Sequence, residues 1–533
     1  MFFRKKRNPF LTIGLLTGVF LGLFLGNILF WMIIGGLIGY LMEKKGFSHN
    51  KGKIIDVKKP FTKIGSLIAI VVLILVLYFF RPWFHPFVMG LYTHPSIIFM
   101  ILFGLFSALA FMKKKDNLGY GLMIIALIFF MAFSLNDVIV ERYIVSEIEY
   151  HIINELPDSS QVRIVPVAVA RRYAKDSLQK SREKLGDFDF VNLDEGLIWT
   201  APRVPDGAIL YFTQKVKGLM TVNAEKSSRQ TKMINQELKI GEDIGITDNI
   251  YWKLYKKTYF MNLGGIYYII EGNEVLTVAP VIKYKFRFPV MIPYFDGVYV
   301  VNPEAEITKY LPDEINDIDY LKNNRAYPEY LARLYVDSYK YHFGVLNTWF
   351  MHKDQIEISD VYGQQNKQPF LMPTVDGLKW ILATEPYGES YGVFKIFVVD
   401  AVTGKIDMLE MDEDKTLTGP VRVVSYVKKQ FPRIDWAEAR IVEPRPYVVN
   451  GKLYWMLSIT PADFAGISYT VFVDSENNDV LSFETDEEVI NFVSKGIIAV
   501  EDKTKEIPTK DKEQLIKDIE EKLKELKELI EEE

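Results

Sequence analysis

Gly377-Leu378-Lys379-Trp380-Ile381-Leu382-Ala383, followed by Val393-Phe394-Lys395-Ile396-Phe397-Val398-Val399-Asp400-Ala401-Val402-Thr403-Gly404-Lys405, is the stretch that decides the fold of this chain. β-branched and aromatic residues fill both runs, and a Gly- and Pro-containing segment separates them, which reads as two strands of one meander. Asp400 stands where a carboxylate can accept backbone N–H groups in a tight turn, and Gly404 supplies a positive φ. The pattern returns at Gly451-Lys452-Leu453-Tyr454-Trp455-Met456-Leu457-Ser458 and Tyr469-Thr470-Val471-Phe472-Val473-Asp474. Trp and Asp are 20 residues apart in one copy and 19 in the other.

Fainter copies lie upstream. Gly196-Leu-Ile-Trp199 pairs with Gly218-Leu-Met-Thr-Val-Asn223, and Gly265-Ile-Tyr-Tyr268 with Gly297-Val-Tyr-Val-Val-Asn302. A helical pattern precedes each copy, at Val165–Lys184, Ile250–Phe260, Pro328–Phe343 and Gly419–Phe431. Helix then meander, four times over, predicts α+β units in which one helix covers an antiparallel sheet. The expected divisions are 136–310 for the first two units, 311–410 for the third and 411–500 for the fourth. Residues 501–533 form a linker and tail.

The last two copies resemble PepSY-type domains, in which a helix precedes strands that end in an apolar-apolar-Val-Asp-x-x-Thr-Gly-Lys turn. Val398 to Lys405 fits that turn, whereas Phe472 to Asn478 keeps the Asp and lacks the Thr-Gly pair. The resemblance implies extracytoplasmic binding or inhibitory modules and carries no catalytic residues with it.

The N-terminal 135 residues have another character. They hold 15 Lys/Arg and three acids, a net of +12, while the whole chain is at −5, so the remainder stands at −17. Apolar runs at about 10–26, 27–42, 64–80, 97–112 and 118–135 predict five transmembrane helices. Cationic clusters at Arg4–Arg7, Lys44–Lys63 and Lys113–Lys115 place the N-terminus in the cytoplasm and everything after Asp137 outside. Arg81–Ser96 reads as an outer loop with Trp83 and Phe84 as interfacial anchors. No Asp, Glu, Lys or Arg falls inside a span, which disfavours an ion-coupled transporter.

Two features suggest assembly. Gly14, Gly18, Gly22 and Gly26 share one helix face and permit close helix approach, within the same hairpin or between subunits. In the tail, Ile516, Ile519, Leu523, Leu526 and Ile530 step by three and four, the a/d seam of a short coiled coil. The expected partners are membrane lipid and a second copy or other envelope proteins. The acidic balance argues against nucleic acid.

Chemistry is harder to find. There is no cysteine, which excludes disulfides and thiolate sites. The six histidines form no helical metal pair, and the acids at Asp187–Glu195 and Asp313–Asp319 follow no calcium-loop spacing. Gly388-Glu389-Ser390-Tyr391-Gly392 has the G-x-S-x-G form, but it lies between two strands rather than before a helix, and no histidine follows His352. Trp252, Tyr255 and Tyr259, spaced i, i+3 and i+7 among Lys253, Lys256 and Lys257, form a candidate ligand face; the other reading is a helix packing on its own sheet. No cofactor and no catalytic residue is assigned. The sequence thus predicts a membrane-anchored α+β protein with about five N-terminal helices, several helix-plus-meander units and a C-terminal coiled-coil helix. Its expected role is a non-enzymatic binding or assembly protein of the cell envelope. The alternatives are a regulator of an envelope peptidase and an envelope hydrolase with a site assembled only in three dimensions.

Overall fold

A computed structural model describes residues 71–496, apart from Leu73, Asp194, 362–367, 389–391 and 412–416. The spans expected at 10–26 and 27–42, most of 64–80, the glycine seam and the tail seam lie outside the described residues.

The described chain opens on helical residues up to Phe79. It continues with α1 (Arg81–Thr93), α2 (Pro95–Met112), α3 (Asp116–Ser134) and α4 (Asn136–Glu147). Only α2 and α3 among the described helices are long and apolar enough to cross a membrane, with mean hydropathy 2.2 and 1.9. Their side chains are largely exposed, as a lipid-facing pair requires. Lys113–Lys115 turns one into the other, and Ser107 Oγ–H donates to Gly119 O at 2.7 Å across the hairpin. The expected outer loop at Arg81–Ser96 is a correction: it is helical, because Pro82 and Pro95 each open a helix at a position where a missing N–H costs nothing.

The rest is mixed helix and antiparallel sheet. Helix α5 (Val167–Ser177) precedes strands Asp189–Leu193, Gly196–Pro205, Val216–Asn223 and Thr231–Leu238, with Glu183–Leu185 on the edge. Helix α6 (Ile250–Lys257) precedes Tyr267–Glu271, Glu274–Arg287, Val290–Val301 and Ile307–Tyr310. Helix α7 (Glu329–Asp337) precedes Phe370–Thr374, Gly377–Pro386, Lys395–Asp400 and Ile406–Glu410. Helix α8 (Val423–Gln430) precedes Ala439–Val449, Lys452–Pro461, Tyr469–Asp474 and Val480–Phe483. A final helix, α9 (Asp486–Lys495), starts at a capping box of Thr485 and Glu488 and packs on the fourth sheet.

Strand register shows the four sheets to be copies of one plan. Trp199 faces Val222, Trp380 faces Val399 and Trp455 faces Val473, each partner immediately preceding Asn223, Asp400 or Asp474. In the second sheet Val301 precedes Asn302, and its partner is Thr277. The alignment expected through Gly265 and Tyr268 is therefore corrected: Tyr268 lies one strand earlier, and Thr277 holds the tryptophan position.

The Asx residues do the same work. Asn223 Oδ1 accepts from Glu225 N and Lys226 N, Asp400 Oδ1 from Val402 N and Thr403 N, and Asp474 Oδ1 from Glu476 N and Asn477 N. Asn302 Oδ1 reaches Glu306 N instead. An amide oxygen closes such a turn as well as a carboxylate does, so the first copy kept the turn with Asn.

Next to this turn the chain enters each helix through a two-sided clamp. Val165, Tyr327 and Thr418 donate their N–H to the carbonyls of Ala224, Ala401 and Ser475. Their own carbonyls accept the indole N–H of Trp199, Trp380 and Trp455 at 2.9, 3.1 and 2.7 Å. All three indoles are buried, so an unpaired N–H would carry a full desolvation cost. The second sheet keeps the backbone half alone, Lys239 N–H to Pro303 O. Gly218 and Gly297 lie five residues before Asn223 and Asn302, at bulges where a Cβ would stand 2.0 Å from the carbonyl oxygens of Ile234 and Tyr310. Only glycine fits there.

The units are not beads on a string. Tyr150–Ile153, directly after α4, adds in parallel to Ile406–Glu410 and so joins the third sheet. Trp199 and Trp380 share one core with α5 and α7, and the third and fourth sheets share another.

Candidate functional site

Asn249 starts α6 by accepting from Tyr251 N and Trp252 N, and Thr258, in extended conformation, ends it. Tyr259 therefore lies beyond the helix rather than on it. Trp252 and Tyr255 are buried, and the N-terminal part of the chain itself covers them. The Trp252 indole donates to Tyr78 O at 3.2 Å, and the two rings meet edge-on at 5.5 Å. The Arg81 guanidinium lies 4.7 Å from the Trp252 ring and 4.3 Å from that of Tyr78. His85 of α1 stacks on Tyr255 with ring centroids 3.7 Å apart. Its Nε2 stands 2.9 Å from Met261 O and 3.1 Å from Tyr259 O, and Tyr259 OH donates to Arg81 O.

This aromatic clasp fixes α1 to the second unit. Two carbonyl acceptors demand a hydrogen on Nε2, and burial lowers the His85 pKa, so the imidazole is the neutral Nε2–H form near neutral pH. A cleft of about 800 Å³ opens beside the clasp, with His85 and Met89 on one wall and Tyr284 and Arg333 on the other.

A second assembly welds the first unit to the fourth. In strand Ala439–Val449 a bulge puts Glu443 at φ +51°, an uncommon conformation for a side-chain-bearing residue. The bulge aims Glu443 at the start of α5, where Oε1 accepts from Val167 N at 2.8 Å. Its other oxygen pairs with Arg163 at 3.3 Å and faces Arg445 at 3.8 Å. Arg445 donates to Arg163 O, and Tyr447 OH accepts from Arg163 N. The Arg163 guanidinium also lies about 5 Å from the rings of Phe190 and Trp199. Burial, with Arg445 adding repulsion, pushes the Arg163 pKa down to about 10, so its guanidinium stays charged at neutral pH. A cavity of about 160 Å³ adjoins this centre among Trp199, Trp380, Arg325 and Glu329.

The most acid-base-like group is Glu242. Tyr251 OH and Tyr268 OH donate to its two oxygens at 3.0 and 3.2 Å, and burial raises its pKa to about 7. A carboxyl poised there can hold or release a proton near neutrality. It lines neither the cleft nor the cavity above, nor the 670 Å³ polar groove between the first two sheets.

The remaining sequence candidates take structural places. Asp189 pairs with Arg325, Asp319 with Lys322, and Glu314 accepts from Leu311 N. His342 stacks on Tyr339 and His352 on Tyr387, as separate pairs. Among the described residues no three His, Asp or Glu side chains group as metal ligands. Residues 389–391 of the G-x-S-x-G string lie outside the described residues; strand Lys395–Asp400 stands where a nucleophile elbow requires a helix. His85, Glu242 and Arg163 had no signal in the sequence, since each draws its partners from distant segments. For Glu443 the local hints of a bulge were Pro444 and Pro446 beside it, in a run that otherwise reads as a strand.

No family model, curated protein or solved structure matches this chain.

Proposed function

We propose that this chain is a non-enzymatic membrane protein of the cell envelope whose body, on the outer face, binds or assembles with other proteins. The observation that carries the reading is the clasp: buried rings, rather than a loose linker, fasten a large multi-sheet body to α1, which leads directly into the two helices long and apolar enough to cross a bilayer. A rigid mount suits a protein that presents surfaces at a fixed height and orientation. The buried charges support the same reading, because Arg163, Glu443 and Arg445 are used in joining units. The cationic flanks of the apolar runs favour the body outside and the N-terminus in the cytoplasm.

A second reading rests on the helix-and-meander plan with its Asp400 turn, which resembles PepSY-type domains: regulation of an envelope peptidase. One preparation tests both. The intact chain, extracted from its native membrane in mild detergent, is weighed by light scattering and its companions identified. The assembly reading expects a defined mass above that of one chain, reduced when Ile519 and Leu523 become polar. Co-purification of a peptidase would favour the second reading. A monomer without companions would sink both.

A further inference from the structure

Several of the most exposed apolar side chains of the body lie at tips of its first three units. In the first unit Ile209 and Phe212 are 77% and 62% exposed on a short helix, Ala208–Thr213. Phe212 lines a cleft together with Phe79, just before α1. In the second unit the hairpin tip carries Phe288, 60% exposed, whose ring lies 6.4 Å from Phe99 of α2 and 6.0 Å from Phe129 of α3. Those two residues sit about one helical turn inside their helices, so the tip reaches roughly 6 Å past the helix ends.

In the third unit Leu346 and Phe350 are 67% and 74% exposed. Their segment is tied back by Thr348 Oγ–H to Lys340 O, and Lys340 pairs with Glu141 of α4 at 2.7 Å. Glu141 is seven residues past the end of α3, about 10 Å at most. Helix α1 runs between the exit of one apolar run at Phe80 and the start of α2 at Pro95, with Trp83 65% exposed. The tips of the first two units therefore border the α2–α3 hairpin or the chain that leads into it, and that of the third is tied to α4, which leaves the hairpin. Such surface in water would be an aggregation hazard, and a monomer seldom tolerates it without an occupant.

We propose that the body lies on the bilayer, with apolar tips from its first three units set into the boundary between headgroups and acyl chains of the leaflet it faces. The occupant is lipid, because the patches are continuous with helices that lipid itself must surround, and aromatic rings are suited to that boundary. The fourth unit stands clear, as the farthest from the hairpin in the chain of contacts. The inference rests on α2 and α3 crossing the membrane.

The chain has no cysteine, so single labelling sites can be introduced at will. L105C in α2, F212C, F350C and K452C of the fourth unit each receive an environment-sensitive fluorophore in the full chain. Each is reconstituted into phosphatidylcholine–phosphatidylglycerol nanodiscs carrying lipid with a nitroxide at acyl carbon 5. L105C, near the middle of α2, and F212C and F350C, expected about 5–10 Å below the headgroups, should each lose emission by roughly twofold or more, and K452C should not. Quenching of L105C alone, with F212C and F350C no more affected than K452C, overturns the proposal and leaves the anchor standing. An unquenched L105C overturns the spanning reading and the proposal with it.

Discussion

The second unit differs from the other three in where its tryptophan sits. In the first, third and fourth units an indole on the sheet donates to the carbonyl at the helix entry and pins helix to sheet. In the second, Thr277 fills the sheet position, and the indole is on the helix: Trp252 donates outward, to Tyr78 O. The entry differs as well. Helices α5 and α7 begin two residues after the clamp residues Val165 and Tyr327, whereas α6 begins eleven after Lys239, and the intervening segment carries Glu242. One plan thus yields three closed units and one whose helix uses its aromatic face to hold α1 and the residues just before it. A repeat can take on a docking role when a single internal contact is given up and the same kind of side chain is placed one element away.

The largest effect should come from breaking the clamp where it is complete. Trp455→Ala removes a fully buried ring and orphans Thr418 O, which should cost about 3–5 kcal/mol. Trp455→Phe keeps most of the ring and loses the N–H, for about 1–3 kcal/mol. Thr277→Val, at the matching place in the second unit, should cost about 1 kcal/mol or less. Urea unfolding of the full chain in detergent, followed by far-ultraviolet circular dichroism, ranks the three. Equal costs for Trp455→Ala and Thr277→Val would mean that the indole is not what fastens the helix.

A smaller effect separates glycines that need their missing side chain from those that need only their backbone freedom. Gly297→Ala forces a Cβ onto Tyr310 O in the second unit, and Gly218→Ala does so onto Ile234 O in the first. Each should cost about 2–4 kcal/mol, from overpacking added to a left-handed backbone. Gly377→Ala meets no atom within 4 Å and has only its φ of +93° to strain, about 1–2 kcal/mol. The same unfolding series checks the order. It would also show the second unit to share the bulge of the first, although its clamp differs.

Much of this plan was legible because it is local. The helix starts near Val165, Ile250, Pro328 and Gly419, the Trp-to-Asp spacing and the Gly218 and Gly297 positions all follow from period and turn chemistry within about 30 residues. The second copy misled because Thr277 carries no aromatic signal, and Tyr268, one strand earlier, looks like the missing ring. The aromatic stripe was visible, but its occupant was not. Tyr78 and His85 are 174 and 170 residues away from their partners in the chain, and no periodicity links them to Trp252 and Tyr255. The Glu443 weld was hidden for the same reason, since it joins residues 280 positions apart.

The smallest expected effect is a pH dependence in which the second unit opposes itself. Burial lowers the His85 pKa below its ordinary 6.5, so the unfolded chain takes up the proton first. That contribution to stability is present above 6.5 and is lost as pH falls through the lowered value. Burial raises the Glu242 pKa from 4.5 to about 7, against the opposing hydrogen bond from Tyr251. Its contribution is complete below 4.5 and is lost as pH rises through about 7. Across pH 5–7 the two slopes have opposite signs and partly cancel, which keeps the wild-type response shallow. Glu242→Gln retains an amide that can meet Tyr251 and Tyr268 and no longer titrates. The stability of the wild type relative to this variant should therefore fall steadily from pH 4.5 to 7, read as the difference in thermal midpoint at each pH. The protection of α1 amides against hydrogen exchange, taken relative to the intrinsic rate at each pH, should still fall on acidification below 6.5 in the same variant, because a neutral His85 is the ring that stacks that helix on Tyr255. A flat difference curve would mean that Glu242 is already ionised in the folded chain, and an α1 indifferent to acid would mean that the clasp does not depend on a neutral imidazole.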